Sequence, residues 1–355
     1  MILSESTTST AGEDAGGAAL AGIAAALREA GLIPAGVRPR FVVLTGGVAS
    51  DIWKVEGAAR PLVVKRALAK LRVAAEWLAP VGRNASEAAW FRTARAIVPE
   101  AVPEVLFHDP GRGLFAMPYF PPERYPVWKA QLRDGQVDLG FAAQVGRSIG
   151  RIHAATMNDT RIADAFANDA TFHAIRLEPY LEATAQRHPG LGDALVALSR
   201  STLACRQALV HGDVSPKNIL AGPDGPVLLD AECACWGDPA FDLAFCLNHL
   251  LLKGLWNRGA ARRLLAAYDA LRAAYFEALP PAARGEIEGR AARLLPALFL
   301  ARVDGKSPVE YIATDADRDL VRSAAIPLIG TPPARLSAIR EAWAAALHLQ
   351  DESTT

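Results

Sequence analysis

The stretch from Val210 to Glu232 constrains the fold more than any other part of this sequence. It opens Val210-His211-Gly212-Asp213, runs on through Val214-Ser215-Pro216-Lys217-Asn218, and closes at Asp230-Ala231-Glu232. Between Asn218 and Asp230, the apolar runs Ile219-Leu220 and Val227-Leu228-Leu229 flank Gly222-Pro223-Asp224-Gly225, the pattern of a β-hairpin and its turn. Antiparallel pairing of the two runs places Asn218 and Asp230 at the same end of the hairpin, side by side. One short segment thereby gathers two oxygen-bearing side chains close to Asp213.

The rest of the chain divides by pattern. Its 355 residues suggest about two domains. Residues 1–14 are rich in Ser, Thr and Gly and read as a disordered tail. An Ala-rich segment follows with Leu20, Ile23, Leu27 and Leu32 near helical spacing, ending close to Pro34. Three short runs, Arg40–Leu44, Asp51–Glu56 and Pro61–Arg66, are rich in Val, Ile or Trp and predict a small antiparallel sheet. A helix is expected around Ser86–Ile97, then extended segments at Val102–Phe107 and Leu114–Tyr119. From about Asp138 long helices take over, at Asp138–Ala155, Gly192–Gln207, Ala260–Ala278 and Arg335–Leu347; in the last, Leu336, Ile339, Trp343 and Leu347 line one face. The expected fold class is α+β and two-lobed. A small antiparallel-sheet N-lobe spans 15–118, and a larger helical C-lobe spans 119–355. A cleft between two such lobes is a natural nucleotide site.

Asp213 and Asn218 have the D-x-x-x-x-N spacing of a kinase catalytic loop. The aspartate sits beside an attacking hydroxyl, and the amide oxygen helps hold a metal against phosphates. Asp230-Ala231-Glu232 stands where a protein kinase carries its metal-binding D-F-G, and Glu232 adds a second carboxylate that reaches the metal directly or through water. Mg²⁺ takes such oxygen donors and keeps several waters besides. Upstream, Val63-Val64-Lys65 lies in the third strand, where a lysine reaches the α/β-phosphates; Glu87 on the following helix is the preferred partner and Glu76 the alternative. Leu44-Thr45-Gly46-Gly47-Val48-Ala49-Ser50 lacks G-x-G-x-x-G, but its Gly46 and Gly47 offer backbone N–H groups to phosphate. His211 reads as structural, holding Asp213 in place. Asp242, within Gly237-Asp238-Pro239-Ala240-Phe241-Asp242-Leu243-Ala244, reads as a buried anchor of the catalytic loop. His153 reads as a packed helix-end residue.

These motifs, H-G-D-x-x-x-x-N, D-x-E and G-D-P-x-x-D-L-A, resemble the aminoglycoside phosphotransferase and choline kinase superfamily from about Val42 onward. Within it, Lys65-Arg66-Ala67-Leu68 through Arg72 to Glu76-Trp77, with Val102-Pro103-Glu104-Val105, is most similar to methylthioribose kinases. The resemblance implies a protein-kinase-like fold with ATP and Mg²⁺ as cofactors. It assigns Lys65 to phosphate, Asp213 as catalytic base, and Asn218, Asp230 and Glu232 to metal. Met117-Pro118-Tyr119-Phe120 would be the hinge that meets adenine, with Met117 and Tyr119 as its contacts. The chain departs from methylthioribose kinases at its glycine loop, at Asn218, which follows the commoner superfamily pattern, and at Ala301-Arg302, where one arginine stands in place of a pair.

Composition narrows the partners. Lys plus Arg equals Asp plus Glu, 38 each, which disfavours the broad basic surface that nucleic acid needs. Four cysteines make no disulfide framework, and apolar runs such as Leu294–Ala301 are too short to span a membrane. With Glu5, Glu13 and Asp14 and no basic n-region at the start, the expected location is the cytoplasm. The expected reaction is transfer of the γ-phosphoryl group to a hydroxyl of a small metabolite. Candidates for the acceptor pocket are Trp236, His249, Trp256, Arg302, Asp304 and Lys306. The short span from Asp230 to Asp242 leaves no room for a protein-kinase activation segment. Two alternatives stay open: a catalytically silent nucleotide-binding protein of the same fold, and an aminoglycoside-type antibiotic kinase.

Overall fold

The computed structural model describes residues 4–5, 13–45, 50–67 and 83–349, in two compact units, Met1–Tyr125 and Pro126–Thr355. The first unit is built on an antiparallel sheet of β1 (Ser4–Glu5), β2 (Arg40–Thr45), β3 (Ser50–Glu56), β4 (Leu62–Ala67), β5 (Phe107–Asp109) and β6 (Leu114–Pro118), in the order β1-β2-β3-β4-β6-β5. Two helices, α1 (Glu13–Glu29) and α2 (Arg83–Arg95), belong to this unit. The two-residue side-chain period of a strand sorts β4 into two faces. Leu62 and Val64 join Trp53, Val55, Ala116 and the α1 residues Ile23 and Leu27 in one apolar cluster. Lys65, one residue on, lies opposite Phe115, whose ring meets Phe91 of α2 edge-on at 5.8 Å. The sheet is thus packed on both sides, and Lys65 emerges on the α2 side.

Two expectations change here. The extended segment foreseen at Val102–Phe107 forms a strand only from Phe107, because Pro103 has no N–H to give a ladder and Arg95 takes the Val102 carbonyl at 2.6 Å. The first helix stops at Glu29, before Leu32, where Gly31 turns into the left-handed region (φ 72°) and Leu32 N–H closes onto the Leu27 carbonyl. Of residues 1–14, Ser4–Glu5 pairs with β2, and α1 begins at Glu13.

The second unit is mostly helical. Its helices are α3 (Trp128–Arg133), α4 (Leu139–Thr156), α5 (Thr160–Ala165), α6 (Asp169–Phe172), α7 (Ala183–Arg187), α8 (Gly192–Ala204), α9 (Pro239–Trp256), α10 (Ala261–Ala278), α11 (Pro281–Asp304), α12 (Asp315–Gly330) and α13 (Leu336–Ala346). Between α6 and α7 the chain runs as a π-helical segment, His173–Glu182, with Pro179 inside it. Two small ladders complete the unit: β7 (Ala208–Val210) with β10 (Cys235–Gly237), and the hairpin of β8 (Ile219–Gly222) with β9 (Gly225–Leu228). Helix α9 is buried from Pro239 to Leu255 and mostly apolar, with Asp242, Asn248, His249 and Lys253 its polar exceptions, which makes it the centre of the core. Asp138 caps α4 by accepting the Phe141 N–H at 3.0 Å. Further along, Gly146 and Gly150 let α4 approach the backbone of α10; a Cβ at Gly146 would stand 2.1 Å from the Leu271 carbonyl oxygen. At the far end, α13 docks through Leu336, Ile339 and Trp343 as its periodicity requires, and the Trp343 ring N–H donates to the Leu251 carbonyl. Among the described residues, no helix is long and apolar enough to cross a membrane.

Candidate active site

The loop after β7 is held from below by the start of α9. Asp238 caps that helix through the Ala240 N–H and Pro239 occupies its first turn, which places Asp242 inside the core. The wholly buried Asp242 carboxylate accepts two backbone N–H bonds, from His211 at 2.7 Å and Gly212 at 2.8 Å. His153 of α4 supports it from the other side: Nε2 lies 3.2 Å from Asp242, and Nδ1 lies 2.9 Å from the Tyr275 hydroxyl. The histidine read as simple packing is therefore part of the brace. His211 accepts the Asp213 N–H at Nδ1 (3.1 Å), so its other nitrogen, Nε2, donates to the Leu229 carbonyl at 3.1 Å. Burial lowers its pKa, and this neutral tautomer ties Asp213 to the hairpin. Gly212 has φ 78°, and a Cβ there would meet Cys233 Cβ at 2.8 Å, so the G of H-G-D is required twice over.

Asp213 itself is 4% exposed. Arg176, on the π-helical segment, reaches its Oδ2 with Nη2 at 2.8 Å and the Gly212 carbonyl with Nε at 2.5 Å. Lys217 approaches the same Oδ2 at 3.2 Å. Burial opposes ionisation of the Asp213 carboxyl, but these two cations prevail and hold its pKa below the usual aspartate value. Arg176 was not among the residues expected from sequence. Nothing local marks it, since it lies far along the chain in a helix that Pro179 would be expected to break.

The hairpin pairs Ile219 with Leu228, so Leu229, not Asp230, falls opposite Asn218, one residue short of the side-by-side placement expected. Leu229 N–H donates to the Asn218 carbonyl at 2.9 Å, and Asp230 is the next residue, at the same end of the hairpin. Asn218 is buried, and its amide nitrogen donates to the Asp213 carbonyl at 3.1 Å, which assigns the amide oxygen to the opposite side. Asp230 adopts φ 70°, a left-handed conformation that aspartate tolerates better than most residues. Asp230 and Glu232 are half-buried on either side of the buried Ala231. Hard oxygen donors of this kind suit Mg²⁺ with water and phosphate completing its shell. Among the described residues no three carboxylates, imidazoles or thiols converge into an all-protein metal cage.

In the first unit, Lys65 and Glu87 form a buried ion pair, Nζ lying 2.9 Å from Oε1 and 2.7 Å from Oε2. Asn84, one turn earlier on α2, donates to the Lys65 carbonyl at 3.3 Å. Glu76, the alternative partner, lies outside the described residues, as do Gly46 and Gly47. At the expected hinge, Tyr119 N–H donates to the Pro61 carbonyl at 3.2 Å. With Met117 opposite Val63, ladder alternation turns both Met117 backbone groups toward β4 as well. The Pro118 carbonyl faces away from β4.

Beside Asp213 the second unit contains a cavity of about 200 Å³. Its wall includes Asp213 and Lys217, Tyr180, Phe245, His249 and Lys253, together with Lys129, Arg302 and the segment 307–311. Two of the expected acceptor-pocket residues, His249 and Arg302, line it directly. Trp256 stands behind, stacked on Tyr311 at 4.4 Å. Asp304 instead joins His188 and Arg322 in an ion cluster, Lys306 pairs with Glu178, and Trp236 lies in the β10 ladder opposite Leu209.

Residues 40–284 match the sequence model of the phosphotransferase enzyme family, APH. A methylthioribose kinase of Escherichia coli O45:K1 is 26% identical over 245 residues, which cover 60% of this chain and 58% of that protein. A homoserine kinase of Methylocella silvestris is 33% identical over 117 residues, 30% of this chain and 36% of that one. The chain thus spans less than two thirds of the length of these curated relatives. Among solved structures, a Plasmodium vivax ethanolamine kinase aligns with a TM-score of 0.51 at 11% identity, over 97% of this chain and 90% of that chain. Amicoumacin kinase hAmiN aligns with a TM-score of 0.50 at 13% identity, over 92% and 98%. These two likenesses speak for the fold alone, and it is the α+β, kinase-like fold expected from the sequence.

Proposed function

The chain belongs to the phosphotransferase enzyme family, and from that premise we propose that it is a kinase transferring the γ-phosphoryl group of ATP to a hydroxyl of a small metabolite. The observation that carries the reading is the arrangement around Asp213: a buried carboxylate, fixed by Arg176, Lys217 and the loop backbone, at the wall of a small cavity. Relatives named as methylthioribose and homoserine kinases support a small alcohol as acceptor. The cavity is smaller than the range of about 300–1,000 Å³ usual for drug-sized ligands, which favours a metabolite over an antibiotic acceptor.

In the proposed mechanism the acceptor hydroxyl donates its hydrogen bond to Asp213 and is aimed at the γ-phosphorus. The new O–P bond forms as the bridging P–O bond breaks, the hydroxyl proton passes to Asp213, and ADP leaves. Phosphoryl transfer proceeds through a loose transition state in which positioning and charge stabilisation dominate. A carboxylate held acidic suits that reaction: it orients the nucleophile throughout and takes the proton late. Lys217 offers a cation to the moving phosphoryl group, and Lys65, steadied by Glu87, takes the donor phosphates. Asn218 and Asp230, with Glu232 behind them, would hold Mg²⁺, which supplies neutralisation of phosphate charge. Adenine would meet the Pro118 carbonyl in place of Met117 and Tyr119, whose ladder bonds commit them to β4.

The experiment is coupled ADP release with Mg-ATP over a panel of hydroxylated acceptors. Acceptor-dependent release supports the reading. Failure to bind Mg-ATP, measured by titration calorimetry on the same protein, would refute it.

A further inference from the structure

The cavity beside Asp213 contains two cations that the mechanism above does not use. Lys253 is 1% exposed, on the wholly buried helix α9, and Arg302 is 9% exposed near the end of α11. The other cations of the wall have carboxylate partners: Lys129 pairs with Glu310, and Lys217 with Asp213. Lys253 and Arg302 form no salt bridge among the described residues, and the one carboxylate of the wall besides Asp213, Glu310, is engaged by Lys129. Arg302 Nη1 donates to neutral groups, the Tyr180 hydroxyl at 3.0 Å and the Ser307 carbonyl at 2.5 Å, and its Nε has no hydrogen-bond partner. Lys253 Nζ meets only aromatic faces, 4.8 Å from the Trp256 ring centroid and 4.5 Å from that of Tyr311.

Cations buried without a counter-charge are costly unless a ligand supplies one. The aromatic pair matters as much. Stacked aromatic rings over a pocket are what a quaternary ammonium ligand would seek. Here the protein's own Lys253 amino group already stands over both rings, so a choline-like headgroup finds that position taken. Resting on the kinase reading, we propose that the acceptor is a small hydroxylated anion whose carboxylate or phosphate group is held by Lys253 and Arg302 while its hydroxyl faces Asp213. The assignment excludes neutral sugars and cationic alcohols as preferred acceptors.

Binding is tested separately from turnover. Intrinsic fluorescence, to which Trp256 beside Lys253 contributes, is titrated with glycerate, glycerol 3-phosphate, glycerol and choline, and the same four compounds are offered as acceptors with Mg-ATP. The expected result is saturable binding of one or both anions, at least tenfold tighter than glycerol or choline. Glycerate ahead of glycerol 3-phosphate would identify a carboxylate site, and the reverse order a phosphate site. Lys253→Met and Arg302→Gln are each expected to weaken anion binding at least tenfold, and Arg302→Lys to retain most of it; thermal melts verify that the variants fold. Glycerol or choline binding as tightly as both anions, or folded variants that bind anions unchanged, would overturn the proposal. Those outcomes leave acceptor-dependent ADP release intact. Loss of Mg-ATP binding in the wild type instead brings down the kinase reading and this proposal with it.

Discussion

At the scale of single residues, the Asp213 environment makes the most direct prediction. Its carboxyl is held below the ordinary value chiefly by Arg176, against the opposing effect of burial. An aspartate with a lowered folded-state pKa contributes stability above its unfolded pKa of about 3.9, and that contribution is lost as pH falls through the folded value. Arg176→Met removes the larger stabilising charge and leaves a buried carboxylate short of partners. The expected cost is about 3–5 kcal/mol of stability at pH 7, read by urea denaturation, and the acid limb of the pH–rate profile moves upward. Lys253 makes the opposite case. Burial and the charges of Lys129 and Arg302, only partly offset by Glu310, bring its pKa down to about 7. Because the unfolded lysine titrates near ~10.4, the native state gains stability as pH rises from about 7 toward that value. Lys253→Met should abolish that gain, which denaturation midpoints at pH 6.5 and pH 9 would reveal. That Asp213, Asn218 and Asp230 come together was legible in the sequence because they lie on one loop and hairpin of fixed spacing. Arg176, Lys253 and Lys129 were not, since nothing in a single sequence tells a buried cation facing a cavity from one on a solvated surface.

At the scale of elements, the hairpin of β8 and β9 and its turn were readable, because a Gly-Pro-Asp-Gly turn between apolar runs leaves few ways to pair, while the register sets Leu229 rather than Asp230 opposite Asn218. The brace beneath it was only half readable. Asp242 was expected as an anchor, but the contribution of His153 depends on α4 crossing α10 closely enough to bring Tyr275 alongside. That approach needs Gly146 and Gly150. Gly146→Ala sets a methyl group against the Leu271 carbonyl and should cost at least 2–3 kcal/mol, roughly the upper end for overpacking. Activity should fall with it through the displaced His153–Asp242 pair, more in kcat than in KM. A stable, fully active variant would show that the brace does not depend on this crossing. The π-helical segment was hidden for a different reason: Pro179 reads as a helix end, yet the wider ladder of His173–Glu182 accommodates it and presents Arg176 to Asp213.

At the scale of the whole molecule, the α+β fold class followed from the change in periodicity along the chain. The acceptor did not follow, because the cavity draws on α3, α9 and the stretch from the end of α11 to residue 311, which lie far apart in sequence and meet only on folding. The balance of 38 basic and 38 acidic residues likewise hides the local excess of unpartnered cations in that cavity. On the proposed reading, Asp213 directs an acceptor hydroxyl onto the γ-phosphorus of ATP. The most direct test incubates γ-¹⁸O-labelled ATP and Mg²⁺ with an acceptor panel weighted toward hydroxy acids, in wild type and Asp213→Asn side by side, and follows the label by mass spectrometry. Label should move to an acceptor hydroxyl in the wild type, with a rate at least about 10²-fold lower in the variant, while both bind Mg-ATP equally. Equal transfer by the two proteins, or a wild type that binds neither nucleotide nor acceptor, would contradict the account.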